Sequence, residues 1–271
     1  MKLPTSFVTL FLLFGLVLCT SIASAADADY SNTNYNTETA PTIDGKYTTP
    51  NEWDGSGIPP KLPSGLFWKE MWTYPGDILQ HFIIEVLYDN TNDTADYIQI
   101  CYDCNADGGT APKSDDVKIE YTGHRLQGLK IYVGNGAGWT EFTNYTYGSD
   151  IKIAESLASS PQNSNAHWII EITINKSNPR FDISGSGYQP GLRVAAYDAS
   201  NASAGVIEWP PNSGDSPAKW GIEVGTMNTI PEPLTVAAFV LLTTVAVVVG
   251  SYFLRTRSKP RNSIPEINLQ I

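Results

Sequence analysis

Residues 96–121 read DYIQICYDCNADGGTAPKSDDVKIEY, and the fold follows from how this stretch is parsed. In its first half Ile98, Ile100 and Tyr102 share one face, and Gln99, Cys101 and Asp103 share the other. In its second half Val117, Ile119 and Tyr121 alternate with Asp116, Lys118 and Glu120. Successive side chains of an extended chain point to opposite faces, so each half predicts a half-buried strand. The Asn, Asp, Gly and Pro residues between them predict a long hairpin loop.

Working outward, the same pattern recurs. Residues 66–73 and 78–88 are rich in aromatic and β-branched residues and are followed by a turn at 90–95. Residues 126–133 and 139–145 flank the turn Gly134-Asn135-Gly136-Ala137-Gly138, a second hairpin signal. Residues 151–156, 166–174, 192–198 and 220–224 bring the expectation to about ten strands. With helix nearly absent before residue 234, the predicted class is all-β: an antiparallel β-sandwich of jelly-roll or immunoglobulin-like type spanning 41–225.

The ends read differently. Residues 1–25 carry Lys2, an apolar run from Phe7 to Leu18, and Ala23-Ser24-Ala25 before a polar stretch, which predicts a signal peptide. Lipidation at Cys19 is not expected, because Leu16-Val17-Leu18 lacks a small residue before the cysteine. Residues 26–40, polar and without periodicity, predict a flexible tether. After a stalk at 226–233, residues 234–254 form an uncharged apolar run long enough to cross the ~30 Å hydrocarbon core as a helix. Arg255, Arg257, Lys259 and Arg261 follow, placing the tail 255–271 in the cytoplasm and the N-terminal domain outside. The expectation is a single-pass cell-membrane protein. Pro231-Glu232-Pro233 before the span is similar to C-terminal sorting signals of some bacterial and archaeal surface proteins, but the tail continues to Ile271, so a retained anchor is the plainer reading.

Charge excludes one partner class. Residues 26–231 hold 12 basic and 26 acidic side chains, a net of −14, and such a surface repels nucleic acid. With Cys19 in the leader, Cys101 and Cys104 are the remaining pair, and in an oxidising compartment they predict a disulfide at the mouth of the acidic loop. Sequons at Asn92, Asn144, Asn175 and Asn201 are candidate glycosylation sites.

The loop itself reads as half a calcium pattern. Asp103, Asn105 and Asp107 occupy alternate positions before Gly108, and a hard cation of calcium's size takes several oxygens converging on a tight turn. Asp115 or Asp116 stands in for the missing distal carboxylate if the loop folds back. Without flanking helices this is no EF-hand, and the competing reading is a solvated turn capped by its own side chains.

Ile43-Asp44-Gly45 with Glu52-Trp53, the acidic hairpin loop, the strand His167 to Ile174, and Trp209-Pro210-Pro211 before Trp220-Gly221 together resemble family 9 carbohydrate-binding modules and related DOMON-like sandwich domains. The residues 49–52 also fit a capping box with one helical turn. The resemblance implies a non-catalytic, cell-surface glycan-binding or adhesion module on a prokaryotic, archaeal-like protein. Sugar rings stack apolar C–H faces on indole. Of the seven tryptophans, Trp53, Trp168 and Trp220 are expected in the core, while Trp72, Trp139 and Trp209 are the candidate platform, with Gln80, Asn135 and Glu208 as polar partners.

Two alternatives complete the expectations. DOMON-like relatives include haem carriers using methionine and histidine; here Met71 and Met227 with His81, His124 and His167 show no such spacing, and haem is not expected. A purely structural envelope role is the other. No HExxH, GxSxG or phosphate-loop pattern appears, so an enzyme is not expected.

Overall fold

The alternating patterns do become strands, and they join into a single sheet. The computed structural model describes residues 30–226, apart from 38, 50, 55, 74–78 and 188. The expected signal peptide, membrane span and basic tail, with Met227 and most of the stalk, lie outside the described residues. Among the described residues no helix is long and apolar enough to cross a membrane.

In chain order the strands are β1 Ser31–Thr37, β2 Leu66–Thr73, β3 Leu79–Val86, β4 Tyr97–Asp103, β5 Val117–Thr122 and β6 Leu129–Gly134. They continue with β7 Trp139–Phe142, β8 Ile151–Ala158, β9 His167–Asn175, β10 Gly191–Tyr197, β11 Ile207–Trp209 and β12 Gly221–Thr226. Among the described residues helix is confined to short 3-10 turns. The sheet order is β7-β6-β5-β4-β10-β12-β1-β2-β3-β9-β8, with β11 on β10.

The sheet curls so that its halves pack face to face. Ile98, Ile100, Ile119 and Val194 from one half join Phe82, Ile84, Ile170 and Ile172 from the other in one buried cluster. Phe82 meets Tyr102 edge-on at 6.4 Å, and Tyr121 meets Trp168 at 6.4 Å, across the interior. The register Ile100↔Ile119 keeps every second residue of the β4–β5 hairpin inward, as the 96–121 pattern requires.

The expected tether is corrected here. Residues 31–37 form β1, which lies between β12 and β2 and runs parallel to both. Its inward positions are asparagines rather than apolar residues, so hydropathy did not mark it. Their amide groups donate into a polar end of the core: buried Asn32 donates to Glu70 Oε2 at 2.8 Å, and Gln80 donates to the other oxygen of Glu70. Asn34 donates to Glu223 Oε1 at 3.4 Å. Lys176 sits 3.4 Å from the centre of the Tyr102 ring. Burial pushes the Glu70 carboxyl well up and the Lys176 ammonium down, as expected for charges held away from water.

Residues 41–57 cover the outer face of β2, β3 and β9. Trp53 seals Met71, Ile83 and Ile169, with Tyr47 beside them. The expected helical turn is instead a pair of hydrogen-bonded turns, Glu52 N to Thr49 O and Asp54 N to Asn51 O. Glu52 reaches back to cap Thr42 N at 2.7 Å and Thr48 N at 2.9 Å. Gly45, at φ +83°, lies so close to the Glu155 backbone that a Cβ would fall 2.5 Å from its carbonyl carbon, so the position requires glycine.

Candidate functional site

Polar and aromatic side chains gather on the outer face of β6, β5, β4 and β10, part of which is covered where Gly214 N meets Glu208 and Trp220 stacks on Trp139. The registers set them in two rows. One row runs Glu141, Tyr132, Lys118, Cys101, Arg193; the other runs Lys130, Glu120, Gln99, Ala195, Glu208. Arg193 donates from Nε to Glu208 Oε2 at 2.7 Å and from Nη1 to Gln99 Oε1 at 2.8 Å. Gln99 passes a hydrogen bond to Glu120 Oε2 at 2.8 Å, and Tyr132 donates to Glu120 Oε1 at 3.4 Å. Ala195, fully buried, lies between Gln99 and Glu208 in the second row.

The aromatic side is built around Lys118. Its Nζ lies 4.5 Å from the Tyr132 ring centre and 5.3 Å from that of Trp139. Trp139 is half-buried and parallel to Trp220, with ring centres 6.4 Å apart and planes 1° from parallel. At the far end Tyr97 stacks on Tyr197 at 5.3 Å. A groove of about 510 Å³ runs from Glu120 and Tyr132 along Lys130 to Arg125 and Thr94. Burial, with Glu120 next to it, pushes the Tyr132 phenol up to about 12, so it stays a hydroxyl donor at neutral pH. Lys118, Lys130 and Arg193 balance Glu120, Glu141 and Glu208, so the face presents many donors and acceptors without net charge. That chemistry suits a neutral polyol with an apolar face.

The predicted platform is only partly placed here. Trp139 is on the face, and Glu208 belongs to its lattice. Trp72 is a correction: it lies on the inner face of β2 and is 7% exposed. Trp209 is another: it is fully buried, edge-on to Trp68 at 5.2 Å, with Nε1 bonded to Pro60 O. Gln80 is buried on Glu70, and Asn135 spends its amide on the β6–β7 turn, accepting from Ala137 N and Gly138 N. Trp53, Trp168 and Trp220 are buried. Missed at the sequence level were Gln99, Lys118, Glu120, Tyr132 and Arg193. One charged residue inside LRVAAY was the available signal, but adjacency of β10 to β4 was not.

The acidic loop brings together three of the five expected oxygens. Ligand atoms of Asp103, Asp107 and Asp115 lie within 4.8 Å of one another. Asn105 instead accepts from Asp107 N at 2.9 Å. Asp116 is buried and accepts from Lys113 N at 2.6 Å, and burial with the neighbouring Asp103 pushes its carboxyl up to about 8. Asp103 is held by Gly108 N at 2.7 Å and Asp107 N at 3.2 Å. Lys113 Nζ sits 2.8 Å from Asp107 Oδ1, where it competes with any cation.

The expected disulfide is absent: Cys101 and Cys104 are free buried thiols. An offset of three residues at the end of an extended strand puts them on opposite faces. Cys101 lies 3.7 Å from Arg193 Nη1 on the outer face, while Cys104 is in the core. Burial pushes the two thiols up to about 11 and about 12. Of the sequons, Asn92, Asn144 and Asn201 are exposed, whereas Asn175 is half-buried and donates its amide to Ser149 O. Met71 is sealed under Trp53; His81 bonds Thr173 Oγ1, and His167 bonds Glu85 Oε2 at 2.8 Å.

No family model matches the chain, and no curated protein matches it. Among solved structures, a family 9 carbohydrate-binding module from Caldicellulosiruptor kristjanssonii in complex with cellotriose is similar at 18% identity and a TM-score of 0.45, over 74% of this chain and 96% of that one. The same module in complex with glucose is similar at 18% identity and a TM-score of 0.45, over 73% and 97%.

Proposed function

We propose that the chain is a non-catalytic carbohydrate-binding protein whose outer sheet face takes a neutral sugar. The observation that carries this reading is the half-exposed Trp139, stacked parallel to Trp220 at the edge of a charge-balanced lattice of Arg193, Glu208, Gln99 and Glu120. Trp139 and Tyr132 supply stacking surface, while the lattice fixes planar donors and acceptors for hydroxyls at little conformational cost. The test is a glycan array followed by calorimetry on the purified full-length chain. A defined class of neutral glycan should bind, and Trp139→Ala should lose that binding while melting within about 3 °C of wild type, since the ring is at an edge strand. A blank array, or an unaffected variant, overturns the reading.

The same proposal places this face outside a cell, on a domain held by the apolar run 234–254 with its basic cluster inside. Resistance of the chain to alkaline extraction from membranes is the corresponding measurement. It also includes a calcium ion at Asp103, Asp107 and Asp115 with a stabilising role. A melting temperature unchanged between calcium and chelator would remove that component.

A further inference from the structure

A second carboxylate cluster lies apart from the acidic loop, beside the Thr94–Arg125 end of the groove, where the turn after β3 meets the residues leaving β5. Asp89 and Asp96 are both fully buried. Asp89 Oδ1 accepts from Thr91 N at 3.0 Å and Thr91 Oγ1 at 3.1 Å, but its Oδ2, also buried, has no hydrogen-bond partner among the described residues. Asp96 Oδ1 accepts from Ala199 N at 2.7 Å, and Oδ2 accepts from Asp93 N at 2.9 Å. Buried Asp198 adds a further carboxylate whose charge reaches Asp89. A carboxylate oxygen left bare in such a place is costly unless a cation or a proton sits on it.

His124 completes the cluster. Gly123 and His124 are both left-handed, at φ +71° and +53°, and this turns the imidazole back over Trp168 with ring centres 4.2 Å apart. Nδ1 lies 3.2 Å from Glu155 Oε2, which Trp168 Nε1 also holds at 3.0 Å. Nε2 lies 2.9 Å from Asp96 Oδ2. When Nδ1 donates its proton to Glu155, the Nε2 lone pair faces a carboxylate oxygen, and the two repel unless a proton or a metal ion lies between them. Ligand atoms of Asp89, Asp96 and His124 all fall within 4.8 Å of one another.

We propose that Asp89, Asp96 and His124 form a binding site for a divalent cation of zinc's class, with Glu155 as the carboxylate that orients the histidine. One nitrogen and two oxygens match the mixed donor set such ions take at ~2.0–2.2 Å. A carboxylate on the remote imidazole nitrogen, here the partly buried Glu155, is a usual outer partner of a metal-bound histidine. The nitrogen separates this site from the all-oxygen loop of Asp103, which favours calcium. The inference stands independently of the sugar reading.

The test is calorimetry of the metal-free full-length chain with zinc chloride and with calcium chloride, comparing Asp89→Asn, His124→Gln and Asp107→Asn. The wild type and Asp107→Asn should take up one equivalent of zinc, and the other two variants should lose affinity by roughly tenfold or more. Anomalous scattering at the zinc edge from crystals of the wild type keeps the test independent of variant folding. A peak between Asp89, Asp96 and His124 supports the site. Absence of that peak, or zinc binding that survives both substitutions, overturns it.

Discussion

Trp53 donates its indole N–H to Glu171 Oε1 at 3.1 Å, while Glu171 Oε2 accepts from the backbone N–H groups of Asp44 and Gly45, each at 2.8 Å. One buried carboxylate on β9 therefore fastens both halves of the covering segment to the outer sheet. Glu171→Ala would strand three donors at ~1 kcal/mol or more each, a loss of roughly 3 kcal/mol. For a domain of this size that is about 6–12 °C in melting temperature, with a red shift of Trp53 fluorescence. A drop under about 2 °C would sink this account.

Burial, only partly offset by those three donors, raises Glu171 to about 7, and Asp116 stands at about 8. The folded state thus keeps protons that the unfolded chain, with carboxyls near ~4, has released. The stability they contribute is fully present below ~4 and is lost as pH rises through 7 and 8. Buried His81, lowered to about 4, has the opposite sign: its contribution is present above ~6.5 and lost as pH falls towards 4. Melting temperature should therefore rise as pH is lowered from 8 to about 6.5, and Glu171→Gln should flatten that slope. A flat wild-type profile in this range refutes the assignment.

The thiols offer a simple check. Both are buried with raised values and lie on opposite faces. Reductant should leave the melting temperature unchanged, and a thiol reagent should modify Cys101 and Cys104 only after denaturation. Rapid labelling of the folded chain, or a melting temperature lowered by reductant, would contradict the geometry.

Lys113 is exposed, and its pair with Asp107 belongs to the class worth about 0–1 kcal/mol. Removing it costs little and frees an oxygen for the loop. Lys113→Ala should enlarge the calcium-induced rise in melting temperature relative to wild type, measured by calorimetric scans with and without chelator. An unchanged increment would mean that Asp107 takes no part in binding.

What the sequence determined by itself is the β-class and the inward face of strands with clear alternation, because period-two patterning in stretches such as 96–121 admits one burial pattern. It could not show β1: Asn32 and Asn34 look solvated until Glu70, Gln80 and Glu223 are brought opposite them. It could not sort the tryptophans either. Trp72 and Trp209 sit near turns, as exposed residues do, yet the curl of the sheet turns both inward. Cys101 and Cys104 are neighbours in sequence, and strand geometry alone separates them. The outer face of β4, β5, β6 and β10 and the Asp89–Asp96–His124 cluster were decided by tertiary structure, since each unites residues from strands and loops that only sheet order makes adjacent.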